Sequence, residues 1–194
     1  MGAREIEGVC LRAMDLTAAV LGGVLTLPIL LVLSAAVRAT SPGPALFRQV
    51  RVGRRERTFT CYKLRTMALE TPSGVSHEVS TAYVTPLGKI LRRLKLDELP
   101  QLWNVLVGEM SLVGPRPGLP GHEDLILARR KRGVFDVRPG ITGPSQVRDV
   151  DMSTPEALAE CDQTYAQRPT IADYLKFVLL TLLGKGQGDR IGGR

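Results

Sequence analysis

A chain of 194 residues is long enough for one domain with a real core, and its net charge of +7 with pI near 9.7 points to an anionic partner: nucleic acid, lipid head groups or a phosphorylated substrate. Aromatic residues make up only 5%, which argues against a base-stacking surface. Two histidines (His77, His122) without a cluster around them argue against a histidine-based zinc site or a Ser-His-Asp triad, and three cysteines (Cys10, Cys61, Cys161) without ligand spacing read as reduced thiols of a cytosol-facing protein.

Between Asp15 and Arg38 lie 22 residues without a charge, Leu16 to Val37. As a helix they would extend about 33 Å, enough to cross a bilayer core. A signal peptide is disfavoured, because three acids (Glu5, Glu7, Asp15) outnumber two arginines (Arg4, Arg12) where a basic region is expected. Pro28 removes one backbone donor near the middle of the run and predicts a kink. A kinked helix can return to its starting face, but spanning helices also tolerate proline, so both topologies stay open on these residues alone. From Arg38 to Arg65 there are eight Lys/Arg against the single acid Glu56, which predicts a cytoplasmic position for the domain after the apolar run and a patch for anionic lipid. The expected organisation is a membrane segment over residues 1–40 and a catalytic domain over 41–194.

Ser41-Pro42-Gly43-Pro44 reads as a separating turn. Ala45–Val52 and Thr58–Leu64 have the pattern of two strands around the basic turn Gly53–Arg57, hence a β-hairpin. Glu70 to Val79 is expected as a polar loop, and Leu87 to Lys95 as a short basic helix or turn. Leu99 to Val107 has helical spacing, with Gly108 to stop it and Leu99, Leu102, Trp103 and Leu106 as the expected buried stripe. Gly114–Gly121 and Val137–Val147 are expected to be irregular. Glu123–Arg132, Pro155–Ala166 and Ile171–Leu183 read as helices, the last apolar enough for either a membrane interface or core packing. The fold class expected is α+β and helix-dominated, with a re-entrant N-terminal membrane helix, a small cytosolic domain with a β-hairpin, and interfacial amphipathic helices.

The densest cluster of chemistry is Leu96-Asp97-Glu98-Leu99-Pro100-Gln101. An acid pair just before a proline is, by itself, usually a helix cap. Around it stand Lys89, Arg92, Arg93 and Lys95, then Gly114-Pro115-Arg116-Pro117, Lys63-Leu64-Arg65-Thr66-Met67 and Arg138-Pro139-Gly140-Ile141-Thr142-Gly143. In this order and separation, and behind an apolar N-terminal segment, these motifs resemble the bacterial monotopic phosphoglycosyl transferases. The resemblance covers roughly Arg12 to Leu183 and leads us to expect the minimal catalytic form. Departures are Leu27 before the proline, where serine is common, the Arg54-Arg55-Glu56-Arg57 turn, where glycine is often seen, and Gly143-Pro144-Ser145-Gln146.

The resemblance implies transfer of a sugar-1-phosphate from a UDP-sugar to polyprenyl phosphate with release of UMP, at the cytoplasmic face of a bacterial inner membrane, to start glycoconjugate or exopolysaccharide assembly. It implies Asp97 as nucleophile, Glu98 as its dyad partner, and both as ligands of Mg²⁺. A carboxylate can split one difficult displacement into two, and a diphosphate needs a hard cation and arginines to offset its charge. Arg92, Arg116 and Arg138 are the expected phosphate or nucleotide contacts, followed by Lys63 and Arg65, with Pro115 and Pro117 shaping a turn for the uridine. Pro28 matches the family's membrane-helix break. Membrane lipids are implied partners; downstream glycosyltransferases and a second copy of the chain are further candidates, and nucleic acid is not expected. The rival readings are a membrane-anchored scaffold in which the acid pair is only a cap, a basic nucleic-acid-binding module, and a phosphotransferase using a CDP-alcohol. The last would need several acid-rich membrane helices.

Overall fold

In the computed structural model, which describes residues 3–69, 71 and 81–186, the uncharged run becomes the middle of one helix, α1 (Ala3–Thr40, 38 residues). Helical geometry continues through Pro28, so the expected break is not an interruption of the helix. Two bend-promoting features fall together there: the missing N–H of Pro28, and the Thr26 hydroxyl, which donates to the Gly22 carbonyl at 2.6 Å. Among the described residues α1 is the one helix long and apolar enough to cross a membrane.

Residues on both sides of Pro28 pack on the rest of the chain. Leu11 joins Val113, Tyr165, Tyr174 and Phe177; Ala19 joins Phe59, Cys61, Val105 and Met110; Val37, with Leu30 and Leu33 beside it, joins Leu64 and Leu91. Between these anchors most of the large apolar side chains are exposed, Leu25 by 75% and Val32 by 68%.

After the turn at Ser41–Pro44 the chain forms the expected hairpin. Strand β1 (Leu46–Val52) pairs antiparallel with β2 (Thr58–Leu64), from Leu46 opposite Leu64 to Val52 opposite Thr58. The connecting 3-10 turn (Arg54–Glu56) holds two consecutive residues in the left-handed region, Arg55 (φ 56°) and Glu56 (φ 59°). Glycine would adopt this without penalty. Here the Arg130 guanidinium grips both Glu56 oxygens at 2.7 and 2.6 Å, which also holds that carboxyl below its ordinary pKa. The polar loop expected from Glu70 to Val79 lies outside the described residues, apart from Thr71.

Helix α2 (Pro86–Arg93) starts with Thr85 Oγ1 accepting from the Gly88 amide at 3.0 Å. A 3-10 turn (Leu96–Glu98) and α3 (Gln101–Leu106) come next. The buried face of α3 matches the expected stripe only in part: Leu102 and Leu106 pack against the core, but the buried residues are Gln101, Asn104 and Val105, and Trp103 is 59% exposed. The cause is a polar anchor. The Asn104 amide donates to the Thr60 carbonyl at 2.7 Å and accepts from the Tyr62 amide at 3.2 Å, bonding α3 to the β2 backbone. That turns Trp103 outward.

Two stretches expected to be wholly irregular contribute or adjoin a small parallel pair: β3 (Ser111–Val113) runs beside β4 (Gly140–Thr142). Helices α4 (Glu123–Lys131), α5 (Pro144–Val147), α6 (Pro155–Ala166) and α7 (Ile171–Leu182) complete the domain. The 137–147 segment thus contains a strand and a short helix, elements of three or four residues that periodicity cannot announce. Helix α7 buries Tyr174 and Phe177 and exposes Leu175, Leu179 and Leu182, so it has a core side and an apolar outer side. Core packing, one of the two expectations for it, is present on the inner side. The result is a helix-dominated α+β domain with a long apolar N-terminal helix.

Candidate active site

The acid pair sits where three elements meet. Lys95 takes a left-handed conformation (φ 57°), which turns the chain out of α2 and into the Leu96–Glu98 turn. Such a conformation costs an L-residue about 1–2 kcal/mol, and Lys95 Nζ donates to the Lys185 carbonyl at 2.7 Å. Burial pushes the Lys95 ammonium below its ordinary pKa, and neighbouring Glu98 opposes that shift.

Asp97 and Glu98 are both buried. Pro100 occupies the position before α3 and makes no side-chain cap bond. The acids sit within the 3-10 turn itself, and Leu99 and Pro100 separate them from the first residue of α3. With only 6 residues in α3, its dipole offers little for a phosphate as well.

Glu98 Oε1 accepts from Arg116 Nη2 at 3.0 Å and lies 3.5 Å from Lys63 Nζ. Three motifs separated in sequence therefore converge: Lys63 from β2, Glu98 from the turn after α2, and Arg116 from the loop after β3. All three side chains are largely withdrawn from solvent, where charge pairs are screened less than at a surface.

Other expected site residues are engaged elsewhere or less directly. Arg92 Nε donates to the Thr66 hydroxyl at 2.8 Å, which ties α2 to the end of β2. Gly88 permits that approach, since a Cβ there would stand 2.1 Å from the Thr66 carbonyl oxygen. Arg65 directs its guanidinium to the carbonyls of Ser41, Pro42 and Pro44, closing the turn behind α1. Arg138 Nε donates to the Gly108 carbonyl at 2.9 Å; burial and the nearby Arg12 and Arg54 lower its pKa. Pro115 and Pro117 are buried in the Arg116 loop. Pro28 is on α1, outside the cluster.

Backbone-to-backbone packing positions this loop, and glycines make it possible. A Cβ on Gly114 would stand 2.3 Å from the Arg138 carbonyl oxygen, and one on Gly140 would stand 2.1 Å from the Gly114 nitrogen. The Gly-Pro-Arg-Pro and Arg-Pro-Gly-Ile-Thr-Gly motifs are thus two sides of one contact. Residue-type reasoning missed Asn104, Asp15 and the buried arginines Arg51 and Arg129. Arg51 and Arg129 stand in or beside basic runs, which gives no local sign that their side chains are buried.

Among the described residues no three His, Cys, Asp or Glu side chains converge as a metal cage. Two adjacent carboxylates, Asp97 and Glu98, fit a different mode. Mg²⁺ commonly takes one or two protein carboxylates and completes its shell with water and substrate phosphate oxygens. The cluster can therefore bind a phosphorylated, metal-bearing ligand and offers a carboxylate beside it.

Residues 6–185 match the bacterial sugar transferase family. The chain is 41% identical over 180 residues to a UDP-glucose:undecaprenyl-phosphate glucose-1-phosphate transferase of Caulobacter vibrioides, covering 88% of this chain and 67% of that protein. It is 39% identical over 171 residues to the uncharacterized sugar transferase EpsL of Bacillus subtilis, covering 88% and 84%. It is 39% identical over 140 residues to a UDP-N-acetylgalactosamine-undecaprenyl-phosphate N-acetylgalactosaminephosphotransferase of Aeromonas hydrophila, covering 70% and 33%. With a family match over nearly its whole length, the chain belongs to the bacterial sugar transferases and is a transferase.

Proposed function

We propose that the protein transfers a sugar-1-phosphate from a UDP-sugar to a polyprenyl phosphate such as undecaprenyl phosphate, releasing UMP. The observation that carries this reading is the buried pair Asp97–Glu98 with Lys63 and Arg116 gathered on it, a carboxylate flanked by phosphate-binding cations. Relatives whose names specify UDP-sugar and undecaprenyl phosphate support the substrate class.

In the proposed first step an Asp97 carboxylate oxygen attacks the β-phosphorus of the UDP-sugar. A P–O bond forms to Asp97, the bond to the α-phosphate oxygen breaks, and UMP leaves. In the second step a phosphate oxygen of the polyprenyl phosphate attacks the same phosphorus and Asp97 is regenerated. Arg116 and Lys63 offset the diphosphate charge, and Glu98 holds both cations in place. Bound Mg²⁺ would supply further charge neutralisation on the phosphate oxygens, held by Asp97 and Glu98.

The lipid acceptor requires the site to lie at a membrane. Both flanks of α1 pack on one domain and the exposed apolar stretch lies between them, which supports a re-entrant helix with both ends on the cytoplasmic face. A spanning helix would carry one flank across the bilayer, away from the domain.

UMP release from a panel of UDP-sugars, with Mg²⁺ and undecaprenyl phosphate, tests the reaction, and the preferred donor identifies the sugar. Asp97→Asn should abolish release, and mass spectrometry of wild type without acceptor should find a phosphosugar on the peptide containing Asp97. Full activity in Asp97→Asn would overturn the covalent route; no release from any UDP-sugar by folded, membrane-bound protein would favour the scaffold.

A further inference from the structure

The loop that carries Arg116 has its backbone carbonyls held one after another by donors from outside it. The Pro115 carbonyl accepts from the Gly140 amide at 2.9 Å, and the Arg116 carbonyl from Arg129 Nη1 at 2.7 Å. The Pro117 carbonyl accepts from Arg51 Nη1 at 2.9 Å, and the Gly118 carbonyl from the Val52 amide at 2.9 Å. Four consecutive carbonyls are thus fixed by β4, α4 and β1. The loop has prolines at 115 and 117, so it cannot brace itself through amides at those positions.

Two of the four donors are buried arginines, far costlier to place there than backbone amides. Arg129 is kept by Asp162: Nη2 and Oδ2 lie 2.6 Å apart, with side chains 3% and 0% exposed. A buried ion pair of this kind often adds no stability over apolar residues of the same size. It does, however, aim a rigid planar fork, one arm on Asp162 and the other on the Arg116 carbonyl. Arg51 is aimed in a similar way by Gln49 Oε1, 3.0 Å from its Nε.

From this arrangement we infer that Arg129, locked by Asp162, and Arg51 are positioning residues for the transfer reaction. They hold the 115–118 backbone so that the Arg116 guanidinium meets Glu98 and the substrate phosphates. This rests on the proposed function for its catalytic consequence, and on hydrogen bonds alone for the clamp itself.

The test uses the full chain in lipid nanodiscs with three variants. Arg129→Lys keeps the charge opposite Asp162 and loses the fork. Arg51→Lys does the same on the other side. Arg129→Met combined with Asp162→Leu removes the pair without leaving a lone buried charge, and serves if Arg129→Lys does not fold. Hydrogen exchange at Gly140 and Val52, the amides on the flanking carbonyls, should accelerate at least about tenfold in these variants. Unchanged exchange would overturn the clamp.

The second readout is a cycle with Arg116→Ala. In the Arg116 background, Arg129→Lys should lower kcat/KM for UMP release about ten- to a hundredfold. In the Arg116→Ala background it should lower it less than about twofold, because a residue acting through Arg116 has nothing left to position. The same loss in both backgrounds would mean a general structural role and overturn the positioning assignment. Absence of UMP release by wild type would overturn the proposed reaction and with it the catalytic assignment, while exchange still decides the clamp.

Discussion

Tyr174 on α7 donates its hydroxyl to Asp15 Oδ1 on α1 at 3.0 Å, across 159 residues of chain. The same carboxylate accepts from the Ser111 hydroxyl and the Leu112 amide, each at 2.9 Å. One buried acid therefore ties the entry of the apolar helix to β3 and to the last helix of the domain. Asp15→Ala leaves three donors without an acceptor, while Tyr174→Phe removes one bond and leaves Asp15 with two. We expect losses of about 2–4 and about 1 kcal/mol respectively. Denaturant unfolding in detergent micelles checks the order, and equal losses would contradict it.

Burial, aided by Asp15, raises the pKa of Tyr174 above the ordinary tyrosine value. A group whose pKa is raised by folding gives stability that is complete below its unfolded pKa and lost as pH rises through the folded one. The contribution should be intact up to about pH 10 and fall above it. Tyr165 is shifted in the same direction, also by burial first. Thermal unfolding from about pH 7 to about pH 11 should show an alkaline decline that is smaller in Tyr174→Phe; an unchanged slope would count against it.

Asn104 joins α3 to β2 with both ends of its amide and also donates to Glu109 Oε2 at 2.6 Å. Asn104→Leu keeps the branched shape of the side chain and leaves the Thr60 carbonyl and Tyr62 amide without this partner. A cost of about 2–3 kcal/mol is expected. Because β2 also carries Lys63, UMP release should weaken along with stability. A variant as stable as wild type would show that the amide is not the anchor.

Trp103 is the single tryptophan of the chain, and its exposure makes it a reporter. Its neighbour Leu102 packs near Gly22 of α1, next to the exposed apolar stretch. On addition of anionic vesicles its emission should shift to the blue and be quenched by brominated lipid, as aromatic side chains favour the bilayer interface. Emission unchanged by vesicles would place α3 away from the membrane.

Much of the fold was legible because its signals are local. The uncharged run before Arg38, the two alternating stretches around a basic turn, and the boundaries of α6 each arise from a period or a punctuating residue within the element. The transferase motifs were legible for the same reason: each is a short run with its own residue types, and the family match covers them all. The sequence by itself therefore determined a long apolar helix, a hairpin, a helix-rich remainder and a bacterial sugar transferase.

Only the tertiary structure decided how those pieces meet. The stripe expected on α3 holds at Leu102 and Leu106 and fails at Trp103, where a hydrogen-bonding Asn104 took the inward position, and hydrophobic spacing carries no record of an acceptor 44 residues away. The parallel β3–β4 pair depends on Gly114 and Gly140 touching backbone to backbone, a contact between segments that neither encodes alone. Equivalent-looking basic residues were sorted the same way, Lys63 and Arg116 to Glu98, Arg65 to the turn behind α1. A charge in sequence specifies what it can bind; which partner it meets is set by the long-range packing that closes the domain.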